Sequence, residues 1–343
     1  MNDSPHGTLV VGPSWVGDMV LAQSLFMQLK KDAPGTPIDV LAPAWAAPLT
    51  ARMPEVCSAI TLAVGHGELK LATRFRLGRQ LRANQYGRAI VLPNSLKSAL
   101  VPFWADIPRR TGYRGEWRYG LLNDVRSLDK ARLPTTVSRF VALGLAPDQP
   151  PPDPLPTPRL RIDETMRLQA LSRLNIPKPT KPILVLCPGA EYGPAKRWPA
   201  DYFGAVARHQ YNVGWEVWLF GSAKDEAITA EVQKAAGVPC LDLAGKTQLE
   251  DAVDLMSLAS AVISNDSGLM HIAAALDRPL VAVYGSSDPG FTPPMSTRAR
   301  IERLGLSCSP CFKRECPFGH YNCLVELRPE RVIAALNQLD IAA

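Results

Sequence analysis

Short apolar runs alternate along the chain with longer segments in which apolar positions recur every three or four residues. The short runs predict strands and the longer segments predict helices, because side chains repeat with different periods in the two structures. The predicted strands are 9–12, 38–41, 89–92, 183–187, 216–220, 240–243, 261–264 and 280–284. The predicted helices are 19–31, 69–84, 201–209, 225–236, 249–259 and 269–275. Such alternation indicates an α/β fold of doubly wound parallel sheets with helices on both faces.

The chain is expected to form two domains, because 343 residues exceed one typical core. A proline-dense segment at 147–158 cannot extend a helix or an inner strand, and it predicts a semi-rigid linker. The predicted boundaries are 1–150 for the first domain and 151–328 for the second. A last helix near 329–339 is expected to return, with the rest of 329–343, to the first domain.

Composition fits a soluble globular protein, with 46% hydrophobic and 20% charged residues. No apolar run approaches the ~18 residues that a membrane-spanning helix needs. The first seven residues lack a basic segment followed by an apolar one, so no secretory signal and a cytoplasmic location are expected.

Positive charge is concentrated in the first half of the chain. Residues 1–148 carry 18 Lys/Arg and 11 Asp/Glu, whereas residues 149–343 carry 20 and 21. Eleven of the basic residues lie within 70–118, where Trp104, Tyr113, Trp117 and Tyr119 are interspersed. The cluster suits nucleic acid, anionic lipid or a phosphorylated sugar, or it is simply a solvated face. Aromatic rings beside arginine suit sugar rings, and no nucleic-acid module pattern is visible.

The turn after the first predicted strand places a carboxylate where open parallel sheets bind ligands. Gly12 and Gly17 have the spacing of a phosphate-binding loop, but Asp18 and Met19 follow where Lys and Ser/Thr are required. The dinucleotide fingerprint G-x-G-x-x-G is also absent. Asp18 is therefore a candidate general base, or else an aspartate that favours the helix dipole.

Three turns of the second half combine a strand end with a helix start. Lys196 lies in the first and can neutralise a phosphate. Asp225 and Glu226 follow the next strand and could bind ribose hydroxyls. Asp266 opens the third, where free helix N–H groups suit a pyrophosphate. Instead of binding a ligand, the residues that begin these helices could act only as helix caps.

Four motifs carry a resemblance to a known family: PSWVGD at 13–18, SNDSGLMHIAAA at 264–275, AVYGSSDP at 282–289 and CSPC at 308–311. Together they resemble the ADP-heptose:lipopolysaccharide heptosyltransferases of glycosyltransferase family 9, over nearly the whole chain. The resemblance implies a GT-B fold, with two Rossmann-like domains facing across a cleft. It also implies inverting transfer of L-glycero-D-manno-heptose from ADP-heptose to the first heptose of heptosyl-Kdo2-lipid A. The expected location is the cytoplasm, peripheral on the cytoplasmic face of the inner membrane.

The resemblance also implies roles for individual residues. Asp18 matches the catalytic base and Lys196 the lysine on the donor phosphates, with Ser14 and Gly17 as further substrate contacts. Asp266 matches the aspartate that holds the heptose, and Glu226, in preference to Asp225, the ribose carboxylate. The residues matching the diphosphate turn and the histidine beside it are Ser267, Gly268, Leu269 and His271. No cofactor and no metal are expected, since the scheme requires none and no Asp-x-Asp motif is visible.

Some alternatives remain open from the sequence. Other functions are another GT-B nucleotide-sugar transferase, a dinucleotide-dependent oxidoreductase and a two-lobed solute-binding protein. Four cysteines, Cys308, Cys311, Cys316 and Cys323, could bind zinc, form disulfides or stay reduced. Their spacing departs from the paired C-x2-C pattern of zinc sites, so reduced or partly oxidised thiols are the first expectation.

Overall fold

The computed structural model describes residues 6–65 and 67–341, and the chain divides into two compact units, 1–158 and 159–343. The boundary lies at the end of the proline-dense segment. Of the N-terminal segment considered for a signal, residues 1–5 lie outside the described residues. None of the described helices is both long and apolar enough to cross a bilayer.

The first unit is a parallel six-stranded sheet with the order β3-β2-β1-β4-β5-β6. Its strands are β1 (Thr8–Val11), β2 (Ile38–Ala42), β3 (Ser58–Thr61), β4 (Arg88–Val91), β5 (Arg109–Tyr113) and β6 (Asp124–Arg126). Its helices are α1 (Val16–Asp32), α2 (Ala47–Thr50), α3 (Leu71–Leu81), α4 (Leu100–Trp104) and α5 (Thr136–Gly144). Because the strands are parallel, the loops after β1, β4 and β5 emerge at one edge of the sheet.

Helix α1 follows β1 directly and is held by a buried apolar side. Leu21, Leu25 and Phe26 are fully buried, and α1 packs on α5. Asp18 lies in its first turn and two lysines lie in its last, which complements the helix dipole at both ends. Burial and charge therefore fix the direction in which the turn after β1 opens.

The second unit repeats the architecture, with the strand order β12-β11-β10-β7-β8-β9. Its strands are β7 (Ile183–Cys187), β8 (Glu216–Leu219), β9 (Leu241–Asp242), β10 (Ala261–Asn265), β11 (Leu280–Val283) and β12 (Ala299–Glu302). Its helices are α6 (Glu164–Arg173), α7 (Ala200–Asn212), α8 (Glu226–Ala236), α9 (Leu249–Met256), α10 (Gly268–Ala275), α11 (Asn322–Val325) and α12 (Pro329–Asn337). The loops after β7, β8, β10 and β11 share the carboxyl edge of this sheet.

Helix α12 belongs to the second unit, although the sequence analysis expected it to return to the first. Its buried residues Val332, Ala335 and Leu336 lie in the same apolar cluster as Leu184 and Val281. It packs against α7, β11 and β12. The apolar side of this helix is therefore covered by its own unit.

Every predicted strand and helix has a counterpart, but several elements were not predicted. Among these are β3, β5, β6 and β12, which lie toward the sheet edges and lack long apolar runs. The predicted helix at 69–84 begins later, at Leu71, and its last turn, Arg82–Asn84, is a 3-10 helix. The inner strands were predictable because both their faces are buried.

Candidate active site

In the first unit, the candidate base lies on the turn that joins β1 to α1. The N–H of Gly12 donates to the carbonyl of Leu41 at 2.9 Å, so the turn starts in register with the sheet. A Cβ on Gly12 would lie 2.6 Å from the terminal methyl of Met19, so glycine allows α1 to approach closely. Asp18 is partly exposed in the first turn of α1, Gly17 precedes it, and Ser14 is exposed at the turn.

The loop after β5 presents aromatic and cationic groups to solvent at the same edge of the sheet. Trp117 is 84% exposed and Tyr119 is 59% exposed, with their ring centroids 6.4 Å apart. The Nε of Arg114 donates to the Tyr119 hydroxyl at 3.2 Å. Tyr113 is instead buried, and its hydroxyl donates to the carbonyl of Arg139 at 2.8 Å. Trp117 and Tyr119 are thus the aromatic residues of this loop that solution ligands can reach.

Not all of the basic residues at 70–118 contribute to a surface field. Arg74 and Arg118 are buried, and their guanidinium groups donate to backbone carbonyls. Arg118 also contacts the hydroxyl of Ser98 and the side-chain carbonyl of Asn94. These two arginines hold loops in place, so the exposed charge is smaller than the sequence count suggests.

In the second unit, the loop after β7 carries Lys196 on a short 3-10 helix, Pro194–Lys196. Gly193 has φ of 151°, and a Cβ there would lie 2.5 Å from the carbonyl oxygen of Arg314. Buried Asn265 joins the two ends of this loop, because its side chain accepts from Trp198 N at 3.0 Å and donates to the carbonyl of Pro188 at 2.7 Å. The end of β10 therefore fixes the lysine loop.

Lys196 forms an ion pair with Asp266, the residue that follows β10. Its Nζ lies 2.5 Å from Asp266 Oδ2, and Asp266 is only 4% exposed. The same ammonium group lies 5.1 Å from the ring centroid of Tyr192. Ser267 is the N-cap of α10 and makes no side-chain capping bond, so the first N–H groups of Gly268–Ala275 have no side-chain cap. A cation beside helix N–H groups that have no side-chain cap is an arrangement that suits a phosphate.

His271 lies one turn into α10 and is buried behind this pair. Burial lowers its pKa to about 4, with Asp266 opposing the shift and Lys196 adding to it. Its Nδ1 has no hydrogen-bond partner among the described residues. The imidazole is therefore neutral at physiological pH.

The two candidate ribose carboxylates differ in what they contact. Asp225 Oδ2 accepts from the N–H and the hydroxyl of Ser222 at 2.9 and 2.8 Å, forming a capping box. Glu226 is the exposed first residue of α8. Asp225 thus has a structural role, which leaves Glu226 as the more accessible carboxylate.

Comparison with known proteins decides the family. The family model described as glycosyltransferase family 9 (heptosyltransferase) matches residues 74–322. The chain is 48% identical over 340 residues to lipopolysaccharide heptosyltransferase 2 of Salmonella typhimurium, covering 96% of this chain and 97% of that protein. The corresponding protein of Escherichia coli is also 48% identical over 340 residues, with the same coverage. The chain belongs to glycosyltransferase family 9.

The structure of E. coli ADP-heptose LPS heptosyltransferase II matches this family 9 enzyme with a TM-score of 0.85 and 45% identity, covering 96% of this chain and 97% of that one. The predicted GT-B fold class is confirmed, since each unit is a parallel sheet with flanking helices. The predicted class of enzyme, a glycosyltransferase, is confirmed by the family.

Sequence reasoning missed several residues that shape this site. The ring of Tyr192 contacts both the Lys196 ammonium group and the Arg314 guanidinium group, whose distances from its centroid are 5.1 and 5.4 Å. Asn265 was part of a recognised motif, but its role as a tie between loops depends on contacts 67 and 77 residues away in sequence. Ring–cation contacts and long-range amide bonds leave no local pattern in a single sequence.

The four clustered cysteines lie between β12 and the end of α11, and all are free. Burial and the neighbouring thiols of Cys308, Cys311 and Cys316 raise the pKa of Cys323 to about 11. Within residues 6–65 and 67–341, no group of three or more His, Cys, Asp or Glu is arranged to hold a metal ion.

Proposed function

We propose that this family 9 enzyme transfers L-glycero-D-manno-heptose from ADP-heptose to the first heptose of the lipopolysaccharide inner core, on heptosyl-Kdo2-lipid A. The two relatives reported above are named lipopolysaccharide heptosyltransferase 2, and their similarity covers 96% of this chain. The observation that carries the proposal in the structure is the Lys196–Asp266 pair at the N-terminus of α10.

On the donor side, Lys196 and the N–H groups at Ser267, Gly268 and Leu269 bind the diphosphate. Both stabilise the negative charge that grows on the leaving ADP, which is the largest electrostatic demand of the reaction. Asp266 accepts hydrogen bonds from heptose hydroxyls and holds Lys196 in place. Glu226 accepts from the ribose hydroxyls, and neutral His271 supports the turn from behind.

On the acceptor side, Asp18 acts as the general base. Its carboxylate accepts the proton of the attacking hydroxyl, and the new bond forms on the face of the anomeric carbon opposite ADP, which inverts the configuration. Ser14 and Gly17 line the same turn. The exposed Trp117, Tyr119 and Arg114 suit the sugar rings and anionic groups of the inner core.

The proposed acceptor is anchored in a membrane by its lipid A part. The enzyme therefore works in the cytoplasm as a peripheral protein on the cytoplasmic face of the inner membrane. Nucleic acid is not a partner in this scheme, and the transfer requires no metal or other cofactor.

The test is product analysis with purified enzyme, ADP-heptose and chemically defined acceptors. We expect one heptose to be added to heptosyl-Kdo2-lipid A with release of one ADP, and no addition to Kdo2-lipid A that lacks the first heptose. Transfer from another nucleotide-sugar at a comparable rate would show that the proposed donor is wrong. Transfer to Kdo2-lipid A alone would show that the proposed acceptor is wrong.

A further inference from the structure

Helix α3 of the first unit and the segment just before it expose three apolar side chains to about half of their surface. Leu69, Leu71 and Phe75 are 45%, 51% and 47% exposed. Single exposed apolar residues are ordinary, but three within seven residues are a local concentration. Leu71 and Phe75 are four residues apart and therefore lie on one side of the helix.

Basic residues accompany these apolar groups. Lys70 lies between Leu69 and Leu71, and Arg76 and Arg79 are exposed on α3. Lys70 pairs with Glu68 at 2.8 Å, whereas Arg76 and Arg79 make no ion pair with any part of the chain that the structure describes. The apolar–basic face, as we call Leu69, Lys70, Leu71, Phe75, Arg76 and Arg79, thus combines apolar and cationic groups.

The face is held in shape from beneath. Arg74 of α3 is only 4% exposed, and its guanidinium donates to the carbonyls of Leu69 at 2.6 Å, Glu68 at 3.1 Å and Lys97 at 3.3 Å. Phe75 packs edge-on against Trp104 of α4, with centroids 5.5 Å apart. A buried arginine therefore fixes the segment that presents Leu69 and Leu71, and the exposed apolar groups are not a frayed helix end.

We propose that the apolar–basic face docks this enzyme on an anionic lipid bilayer, with Leu69, Leu71 and Phe75 entering the headgroup region and the cations contacting lipid phosphates. An apolar side chain flanked by Lys and Arg is the composition that favours the interface over water or hydrocarbon. Charge complementarity selects the bilayer as occupant, since each cation near an anionic membrane adds attraction that an uncharged surface does not provide. The inference rests on the proposed function, because it identifies the surface with which the enzyme would reach a lipid-anchored acceptor.

The test is co-sedimentation of the full-length protein with vesicles of phosphatidylethanolamine and phosphatidylglycerol, and with neutral phosphatidylcholine vesicles. The Leu71→Gln/Phe75→Gln double variant should bind the anionic vesicles roughly tenfold more weakly. Arg76→Gln/Arg79→Gln should bind them roughly 25-fold more weakly, from about fivefold for each cation. Binding of the wild-type protein should fall with salt and be weak on neutral vesicles.

Matched controls come from exposed positions of the second unit. Leu168 on α6 is 62% exposed, so Leu168→Gln removes a comparable apolar group. Lys178→Gln/Lys181→Gln removes two exposed cations. Both controls should bind anionic vesicles like the wild type, and a loss equal to that of the α3 variants would overturn the proposal.

Two further outcomes would also overturn it. Unchanged vesicle binding by Leu71→Gln/Phe75→Gln would exclude the face as the docking surface. A concentration-dependent dimer in sedimentation velocity that only the α3 variants lose, with vesicle binding intact, would assign the face to a second copy of the chain.

Failure of the docking surface and failure of the proposed function are separable with a deacylated, soluble acceptor. Leu71→Gln/Phe75→Gln should transfer heptose to this acceptor at the wild-type rate. If the wild type transfers heptose but the α3 variants still bind vesicles, the surface is wrong and the function stands. If the α3 variants lose vesicle binding but the wild type transfers no heptose, the function is wrong and the surface stands.

Discussion

The ammonium group of Lys196 lies 2.5 Å from a carboxylate oxygen of Asp266, although 70 positions separate the two residues in sequence. The first comes from the loop after β7 and the second from the end of β10, two neighbouring strands of the sheet. Asp266 is nearly buried, so leaving its carboxylate without the lysine would be costly. Lys196 therefore has two expected roles. It stabilises the second unit by pairing with Asp266, and it supplies positive charge for a phosphate.

Replacing the lysine should reduce both catalysis and stability. Lys196→Met removes the cation from the leaving diphosphate, and we expect kcat/KM to fall by about 10²–10³. It also leaves the Asp266 carboxylate without its partner, which should cost about 3 kcal/mol of unfolding free energy. Steady-state kinetics and urea unfolding measure the two effects separately.

A second substitution distinguishes the two roles. Lys196→Met/Asp266→Asn removes the unpaired charge, so it should recover most of the lost stability while the rate stays low. Lys224→Met is the control, because it breaks an exposed pair with Glu191 and should change neither quantity appreciably. Recovery of the rate in the double variant would show that Lys196 acts only by balancing Asp266.

Loss of the candidate base should affect the chemical step alone. Asp18→Asn keeps the size of the side chain at the start of α1 but cannot accept the proton, so kcat should fall by about 10²–10⁴. ADP binding, measured by titration calorimetry, should stay unchanged because the donor residues lie in the second unit. Single-turnover transfer at the wild-type rate would remove Asp18 from the mechanism.

The sequence could single out these residues as candidates because each follows a buried strand. Asp18 follows a buried strand of the first sheet, whereas Lys196 and Asp266 follow two buried strands of the second. Open parallel sheets bind ligands at the carboxyl ends of their strands. The fold class followed from the same alternation. Roles for single residues came from the family resemblance, since helix capping explains isolated aspartates equally well.

Other features depend on contacts that no local pattern encodes. The sequence suggests that Arg74 and Arg118 are surface charges, but both are buried, and both donate hydrogen bonds to loop carbonyls. The placement of α12 depends on which apolar surface lies uncovered after the sheets have formed. In the edge strand β6 the charged residues Asp124 and Arg126 are the half-buried ones and Val125 is exposed, so its pattern does not predict a strand with a buried apolar face.

The two neighbouring carboxylates at α8 should separate into a structural and a binding role. Asp225→Ala removes the acceptor for Ser222 and should cost about 1 kcal/mol of unfolding free energy. Glu226→Gln should leave stability unchanged and weaken ADP binding by roughly tenfold, the effect of losing a charged hydrogen-bond acceptor. Calorimetric titration with ADP tests both variants, and weaker binding only in Asp225→Ala would transfer the ribose role to Asp225.

His271 should make the stability of the enzyme depend on pH in the acidic range. Its pKa in the folded protein is about 4, below the ordinary value of 6.5, because burial disfavours the charged imidazolium. The unfolded chain therefore binds more protons than the folded chain between these values, and unfolding free energy rises with pH there. The contribution is fully present above pH 6.5, and roughly 3 kcal/mol of it is lost as the pH falls to about 4.

The substitution His271→Leu removes this titration and fills a similar volume. Its unfolding free energy, measured with urea between pH 4.5 and 7.5, should vary with pH less steeply than that of the wild type. The difference between the two proteins should grow toward low pH in favour of the variant, because the wild type alone gains a proton on this ring when it unfolds. If the two curves stay parallel, the folded and unfolded chains bind the same number of protons on this ring, and burial does not lower the pKa of His271.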